Sequence, residues 1–364
     1  MKNSFGNHIT VTLFGESHGP SIGAVIDGLA AGLPVDVQRM EALLALRRPM
    51  GDISTARQET DEVIFESGVF NGKTTGSPLC IRIPNRDIRS SDYEATRFLP
   101  RPSHADYTAY NKYHGFEDHR GGGHFSGRIT AALVAAGGIL LPALEKKGIT
   151  IATHIARLGG VADRAFGDLS ADMPALQNKP FAVLDDAAGE SMQAAILAAK
   201  ADCDSVGGVL ETAVTGMPVG VGEPWFDTVE GLLSHALFAI PAVKGVEFGD
   251  GFALADLRGS VANDPFVVKD GRIATATNRS GGINGGITNG MPILFRCAVR
   301  PTPTISREQQ TVNMQTGEAA TLAARGRHDP CIVHRARVVV DCVTAITLAD
   351  LLVGRYGTDW LGEA

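Results

Sequence analysis

Residues 131–144 read AALVAAGGILLPAL, fourteen in a row with no polar side chain. A helix that is apolar on every side has to be buried. Crossing a bilayer takes about 20 such residues, so this run is too short, and Pro142 interrupts it. It predicts a buried core helix that the rest of the chain must cover. Ser126 is placed to cap that helix, and Gly148 after Lys147 is placed to stop it.

The flanking segments mix strands and helices. His8 to Phe14, Ser21 to Asp27, Glu62 to Phe70, Leu79 to Ile83, Ile149 to Ile155, Val209 to Val214, Met291 to Val299 and Ala336 to Val343 read as strands. Asp36 caps a helix running to about Arg47. Ser191 to Ala201, Thr228 to Phe238 and Ala345 to Arg355 read as helices. Pro84 to about His104 reads as a polar loop, Gly216 to Trp225 as a Gly/Pro loop, and residues 160–188 carry so little pattern that loops are expected there. The order is mixed rather than strictly alternating, which predicts α+β instead of a doubly wound sheet. No short-period repeat, low-complexity tract or linker divides residues 1–364, so a single domain is expected.

Directly before the apolar run, residues 101–128 read RPSHADYTAYNKYHGFEDHRGGGHFSGR. Histidine suits proton transfer near neutrality. Arginine makes forked contacts to carboxylate and phosphate. A glycine run lets backbone approach a ligand. The stretch therefore fits a site that binds a polyanion and moves protons; a solvated polar loop is the alternative. Net charge is −7, which argues against non-specific nucleic-acid binding and requires any anion-binding cations to be concentrated locally. The five cysteines are scattered without a CxxC pair, as expected for reduced thiols in a cytoplasmic protein, and the start MKNSFGNHIT has no apolar core of a signal peptide.

Other motifs narrow the chemistry. Gly15-Glu16-Ser17-His18-Gly19 follows a strand and reads either as a capping turn or as a site. The pattern GxSxG is absent, so it is not a hydrolase elbow. Gly68 to Thr74 resembles a P-loop, but three residues instead of four separate its glycines, so a tight hairpin is expected. His114, His119 and His124 recur every five residues without zinc-ligand spacing, and no metal is expected. Gly281 to Gly290 holds five glycines and is either a packed turn or a ligand loop; no GxGxxG occurs, which disfavours a Rossmann domain. Arg327, His328, Asp329 and Arg335 combine cations, a histidine and a carboxylate, suited to an anion or to a surface salt-bridge patch.

In this order, these segments resemble the chorismate synthase family. The resemblance is carried by GESHG at 15–19, RRP at 47–49, SGVFNGKTTG at 67–76, HADYT at 104–108 and RGGG at 120–123. It continues through AVKGVEFGDGF at 242–252, GGINGG at 281–286, PT at 301–302 and GRHDPC at 326–331. It implies a β-α-β sandwich, with helices between antiparallel sheets, usually a homotetramer. It implies 1,4-elimination of phosphate from 5-enolpyruvylshikimate 3-phosphate, dependent on reduced FMN without net oxidation, with NADPH as an external reductant. Under the resemblance His18 would act as the acid near the departing phosphate, and His104 would protonate the flavin. Asp329 would assist deprotonation at flavin N5, and Ser17 would orient a proton path. Arg47, Arg128, Arg327 and Arg335 would clamp substrate anions. His124, Phe125, Ser126, Pro241, Ala242 and Gly285 would line the flavin, with Arg300, Pro301, Thr302, Pro303, Thr304 and again Arg327.

The chain departs from the family pattern at the flavin edge. RGGGRSSARE reads here RGGGHFSGRI, so His124 replaces an arginine, Phe125 a serine, Gly127 an alanine and Ile129 a glutamate. Pro241 replaces the usual asparagine, and Arg300 stands where lysine is common. Two rival readings follow: a non-catalytic flavin- or anion-binding paralogue, and a metal-dependent hydrolase using the histidine cluster.

Overall fold

The computed structural model describes residues 2–55, 60–87, 96–269, 271–323 and 329–362. Two five-stranded antiparallel sheets enclose a layer of helices. The first holds β1 (Ser4–Phe5), β2 (Thr10–Gly15), β3 (Ser21–Asp27), β4 (Ile64–Ser67) and β5 (Leu79–Pro84), in the order β1-β2-β3-β5-β4. The second holds β6 (Thr150–Leu158), β7 (Val161–Ala162), β8 (Gly208–Thr215), β9 (Val243–Phe248) and β10 (Ile293–Val299), in the order β9-β10-β8-β6-β7. On β10 the residues Ile293, Phe295, Cys297 and Val299 are buried and alternate with partly exposed ones, the period of a half-covered strand.

The helix layer contains α1 (Val37–Arg47), α2 (Thr130–Lys146), α3 (Val229–Phe238) and α4 (Val333–Tyr356). Asp36 caps α1 by accepting from Arg39 N–H at 2.9 Å. Ser126 caps a 3₁₀ turn, Gly127–Ile129, that runs directly into α2. Turn and helix together, Gly127–Lys146, are long and apolar enough to cross a membrane, yet the segment is the buried core helix that its composition predicts. It packs on α1, on α4 and on β3 and β5, while α4 packs on β6 and β8. One hydrophobic cluster joins both sheets through these helices.

Three expectations differ from the structure. Ala336 to Val343 is not a strand but the first half of α4. The run RVVVDCV has strand propensity, but nearly every residue from Val333 to Val353 is buried, so no polar face marks the helical period. Residues 160–188 are not only loops: a helix spans Leu169–Leu176, capped by Asp168, and the next begins at Asp186, capped by Asp185. The shorter of the two buries only three residues, too few for a periodic signal. The strand expected over Glu62 to Phe70 breaks at Gly68, where φ is 82°. Beyond it Val69–Phe70 and Lys73–Thr74 form the expected tight hairpin, with Asn71 and Gly72 at φ 50° and 71°.

Candidate active site

Three glycines join the histidine turns. Gly121, Gly122 and Gly123 have φ of 59°, 82° and 52°, a region glycine enters without steric strain. A Cβ on Gly121 would lie 2.2 Å from the His18 ring, and one on Gly122 would lie 3.1 Å from the His104 ring. The triplet backbone therefore touches both imidazoles where no side chain fits. Ser17 N–H donates to Gly123 O at 3.0 Å. His124 Nδ1–H donates to Gly15 O at 2.7 Å, and because a carbonyl only accepts, Nε2 is left as the other functional atom of that ring.

His104 is held from behind. Its Nδ1 lies 2.7 Å from Asp106 Oδ1. Arg101 grips the same carboxylate with a fork, Nε to Oδ2 at 2.8 Å and Nη2 to Oδ1 at 2.7 Å. Burial works to raise the Asp106 carboxyl, but hydrogen bonds from Arg101 and His104 outweigh it and hold the group well below the carboxylate range. The ionised carboxylate, a pure acceptor at 2.7 Å, favours N–H at Nδ1 over the Arg101 Nη2 contact at 3.1 Å, and N–H there leaves Nε2 of His104 for proton exchange. Arg101 Nη1 also reaches Thr304 Oγ1 at 3.4 Å.

Two cavities share a wall. The smaller, about 230 Å³, is lined by Arg47, Arg48, Arg128 and Arg335 with Asp61 and Asp329. Among the described residues, four guanidinia against two carboxylates leave an excess of two positive charges. Arg335 Nη1 donates to Asp329 Oδ2 at 2.6 Å, and Thr55 N–H donates to Asp329 Oδ1 at 2.8 Å. Arg128 Nε donates to Asn85 Oδ1 at 3.0 Å. Burial pulls the Arg47 guanidinium down to about 10, against the pull of Asp61. The larger cavity is about 680 Å³ and mostly apolar, the size and character of a small-molecule or cofactor site. His104, His124, Phe125, Ser126, Pro241, Ala242, Arg300, Thr302, Pro303 and Thr304 line it. Ser126, Gly127, Thr130, Pro241, Asp329 and Ile332 border both cavities. Ala242 has φ 77°, a conformation uncommon outside glycine, at this wall.

The structure thus gathers most of the residues picked out in the sequence. Ser17 and His18 are buried beside Gly121 and border neither cavity lining. Gly285 sits in the turn of a small hairpin, Ile283–Asn284 with Ile287–Thr288, and Pro301 is exposed; neither lines a described cavity. Arg327 and His328 lie outside the described residues. Cys331 is fully buried and its thiol is pushed up to about 12 by burial, which makes it inert. Among the described residues no group of three or more His, Cys, Asp or Glu is arranged to hold a metal ion. Asp61, Asn85 and Asp106 hold the arginines and His104 but were not singled out from sequence. HADYT could have flagged Asp106 by its spacing, whereas Asp61 and Asn85 carry no local signal.

A cationic pocket beside a larger apolar cavity, both walled by helices between two antiparallel sheets, defines a small-molecule enzyme acting on an anion. The chain belongs to the chorismate synthase family, whose model matches residues 9–353. The chorismate synthase of Dehalococcoides mccartyi is 48% identical over 355 residues, covering 96% of each chain. That of Thermococcus kodakarensis is 45% identical over 350 residues, covering 96% of this chain and 97% of the relative. A crystal structure of chorismate synthase superposes with a TM-score of 0.74 at 27% identity, covering 97% of this chain and 94% of that one. The chain is accordingly a carbon–oxygen lyase of aromatic amino-acid biosynthesis, eliminating phosphate from 5-enolpyruvylshikimate 3-phosphate to give chorismate.

Proposed function

We propose that the cationic pocket takes the substrate's carboxylates and phosphate, and that the larger cavity takes reduced FMN. The observation that carries this reading is the shared wall: a polyanion in one chamber and a planar ring in the other would be neighbours across Ser126, Pro241 and Asp329. The residues present fit a flavin. Thr302 Oγ1 and Arg300 Nε are buried without a hydrogen-bond partner among the described residues, donors that a polar cofactor would satisfy. Phe125 lines the same cavity with an apolar ring. Bound reduced FMN would supply transient electron density and accept the departing hydrogen.

The chain's own residues divide the remaining work. Arg47, Arg128 and Arg335 orient the substrate anions, and Arg327 is assigned with them by its family position. By family position His18 is assigned as the acid for the departing phosphate oxygen and Ser17 as orienting its path, though neither borders the two described cavities. His104 holds the proton at Nε2 that the reduced cofactor's protonation state requires. Asp329 borders both chambers and serves as the base between them. Gly285 and Pro301 complete the cofactor-binding segments by family position.

We extend the reading to the whole protein. NADPH serves as the external reductant, the chain acts in the cytoplasm as one domain, and four copies assemble. The hairpin Phe266–Lys269 with Arg272–Thr275 supports assembly, because Phe266, Val268 and Ile273 are exposed on a two-stranded element that has too little surface to stand alone. The deciding experiment is anaerobic turnover with dithionite-reduced FMN. Phosphate should be released without stoichiometric flavin oxidation. Equal turnover with oxidised FMN or without flavin would sink the mechanism, and flavin binding without phosphate release would identify a binding paralogue.

A further inference from the structure

Asp61 is the buried centre of the cationic pocket. Its side chain has no exposed surface. Arg47 Nη2 reaches it at 3.3 Å and Arg48 Nε at 3.7 Å, and Arg128 Nη1 donates directly to Oδ1. Burial works to raise this carboxyl, but Arg47 and Arg128 outweigh it and hold it below the carboxylate range. Asp61 does not engage every donor of Arg47 and Arg48. Arg47 Nε and Arg48 Nε are both buried without a hydrogen-bond partner among the described residues. Unsatisfied buried donors of this kind call for an acceptor beyond Asp61.

We propose that Asp61 is a resident counter-anion: it keeps the arginine cluster assembled when no ligand is bound and sets how much negative charge the pocket accepts. With Asp61 in place, the excess among the described residues is two positive charges, so a multiply charged ligand is held while a simple anion is held weakly. Without it the excess rises to three, and a small anion can take the carboxylate's place among the guanidinia. Asp61 stays put because φ of 51° fixes it in a backbone conformation that aspartate tolerates better than most residues. The inference rests on the reading of this pocket as the substrate site.

The test is Asp61→Asn, followed by thermal unfolding in sodium phosphate and in sodium chloride of equal ionic strength. In chloride the variant should melt at least about 5 °C below wild type, because the guanidinia repel one another uncompensated. Inorganic phosphate should restore much of that loss in the variant and little in wild type. Its half-saturating concentration should be about tenfold lower for the variant, the scale of one charge-assisted contact. Equal phosphate affinity in the two proteins, or a variant with wild-type melting in chloride, overturns the inference. If Asp61→Asn does not fold in either salt, the double variant Asp61→Asn with Arg48→Gln decides. Removing one cation should restore folding, and failure to do so overturns the counter-anion role. Failure of the substrate-site reading shows separately, as wild-type protein that does not release phosphate from its substrate.

Discussion

His334, near the start of α4, stands 2.8 Å from Ser54 Oγ through Nε2 and stacks on Phe181 at 6.0 Å between ring centroids. Burial, with Arg335 adding to it, pulls this imidazole down to about 3. The folded state therefore keeps His334 neutral where the unfolded chain would protonate it. Its contribution is intact above the ordinary histidine range and is lost as pH falls from about 6.5 towards 3. By pH 5 the loss should be about 2 kcal/mol. Asp61 and Asp106 are shifted in the same direction, so their contributions too are lost as pH falls, but only at lower pH, through the carboxylate range and below. Urea unfolding between pH 7 and 5 should show that slope in wild type, and His334→Gln should flatten it; an unchanged slope refutes the assignment. Of the proposed acid–base pair, His18→Ala and His104→Ala should each lower turnover by about 10²–10⁴, the range for a general acid–base group. Near wild-type turnover in either variant removes its role. At this scale the sequence was legible where short motifs singled out residues that the structure places on the cavity walls: His104, Asp329, Arg47, Arg128 and Arg335. It was not legible where a side chain acts across the fold. Asp61 meets Arg128 across 67 residues and Asn85 meets it across 43, and no local pattern encodes either contact.

The contact between α2 and α4 turns on one glycine. A Cβ at Gly137 would lie 2.3 Å from Cys342 Cβ and 2.6 Å from its Cα, so the two helices touch backbone to backbone there. Neither element can shift without disturbing a sheet, since α2 packs on β3 and α4 on β8. At Gly138 the nearest atom is Met40 Cγ at 3.1 Å, on a flexible side chain that can give way. Gly137→Ala should therefore destabilise the protein by about 1–3 kcal/mol in chemical unfolding, the usual scale of overpacking. Gly138→Ala should be milder. The reverse order would show that the helices can part at Gly137. The same centrality explains what sequence patterning could and could not give. α1 has a cap and a buried face, and its bounds were readable from Asp36 to Arg47. For α4 every face is covered, so hydrophobic periodicity vanished and its β-branched residues argued for a strand.

For the whole molecule, the exposed hairpin makes assembly testable. Ile273→Asp places a charge on its apolar face and should shift the sedimenting species to smaller size at unchanged circular dichroism; an unshifted species excludes this hairpin from the interface. Within one chain, the first and last segments are tied together. Asp350 of α4 accepts backbone N–H bonds from Asn7 at 3.0 Å, His8 at 2.6 Å and Ile9 at 2.8 Å. α4 is also the helix on which α1, α2 and α3 close. Read in the direction of synthesis, this reverses the usual order of assembly. A growing chain generally folds from its N-terminal side as it emerges from the ribosome. Here the keystone of the helix layer is made after both sheets. Until residues 333–356 leave the exit tunnel, the surfaces of α1, α2, β6 and β8 that pack on α4 lack that partner. The nascent polypeptide must carry that open surface until α4 is made, which makes this helix the step that commits the helix layer to its packing.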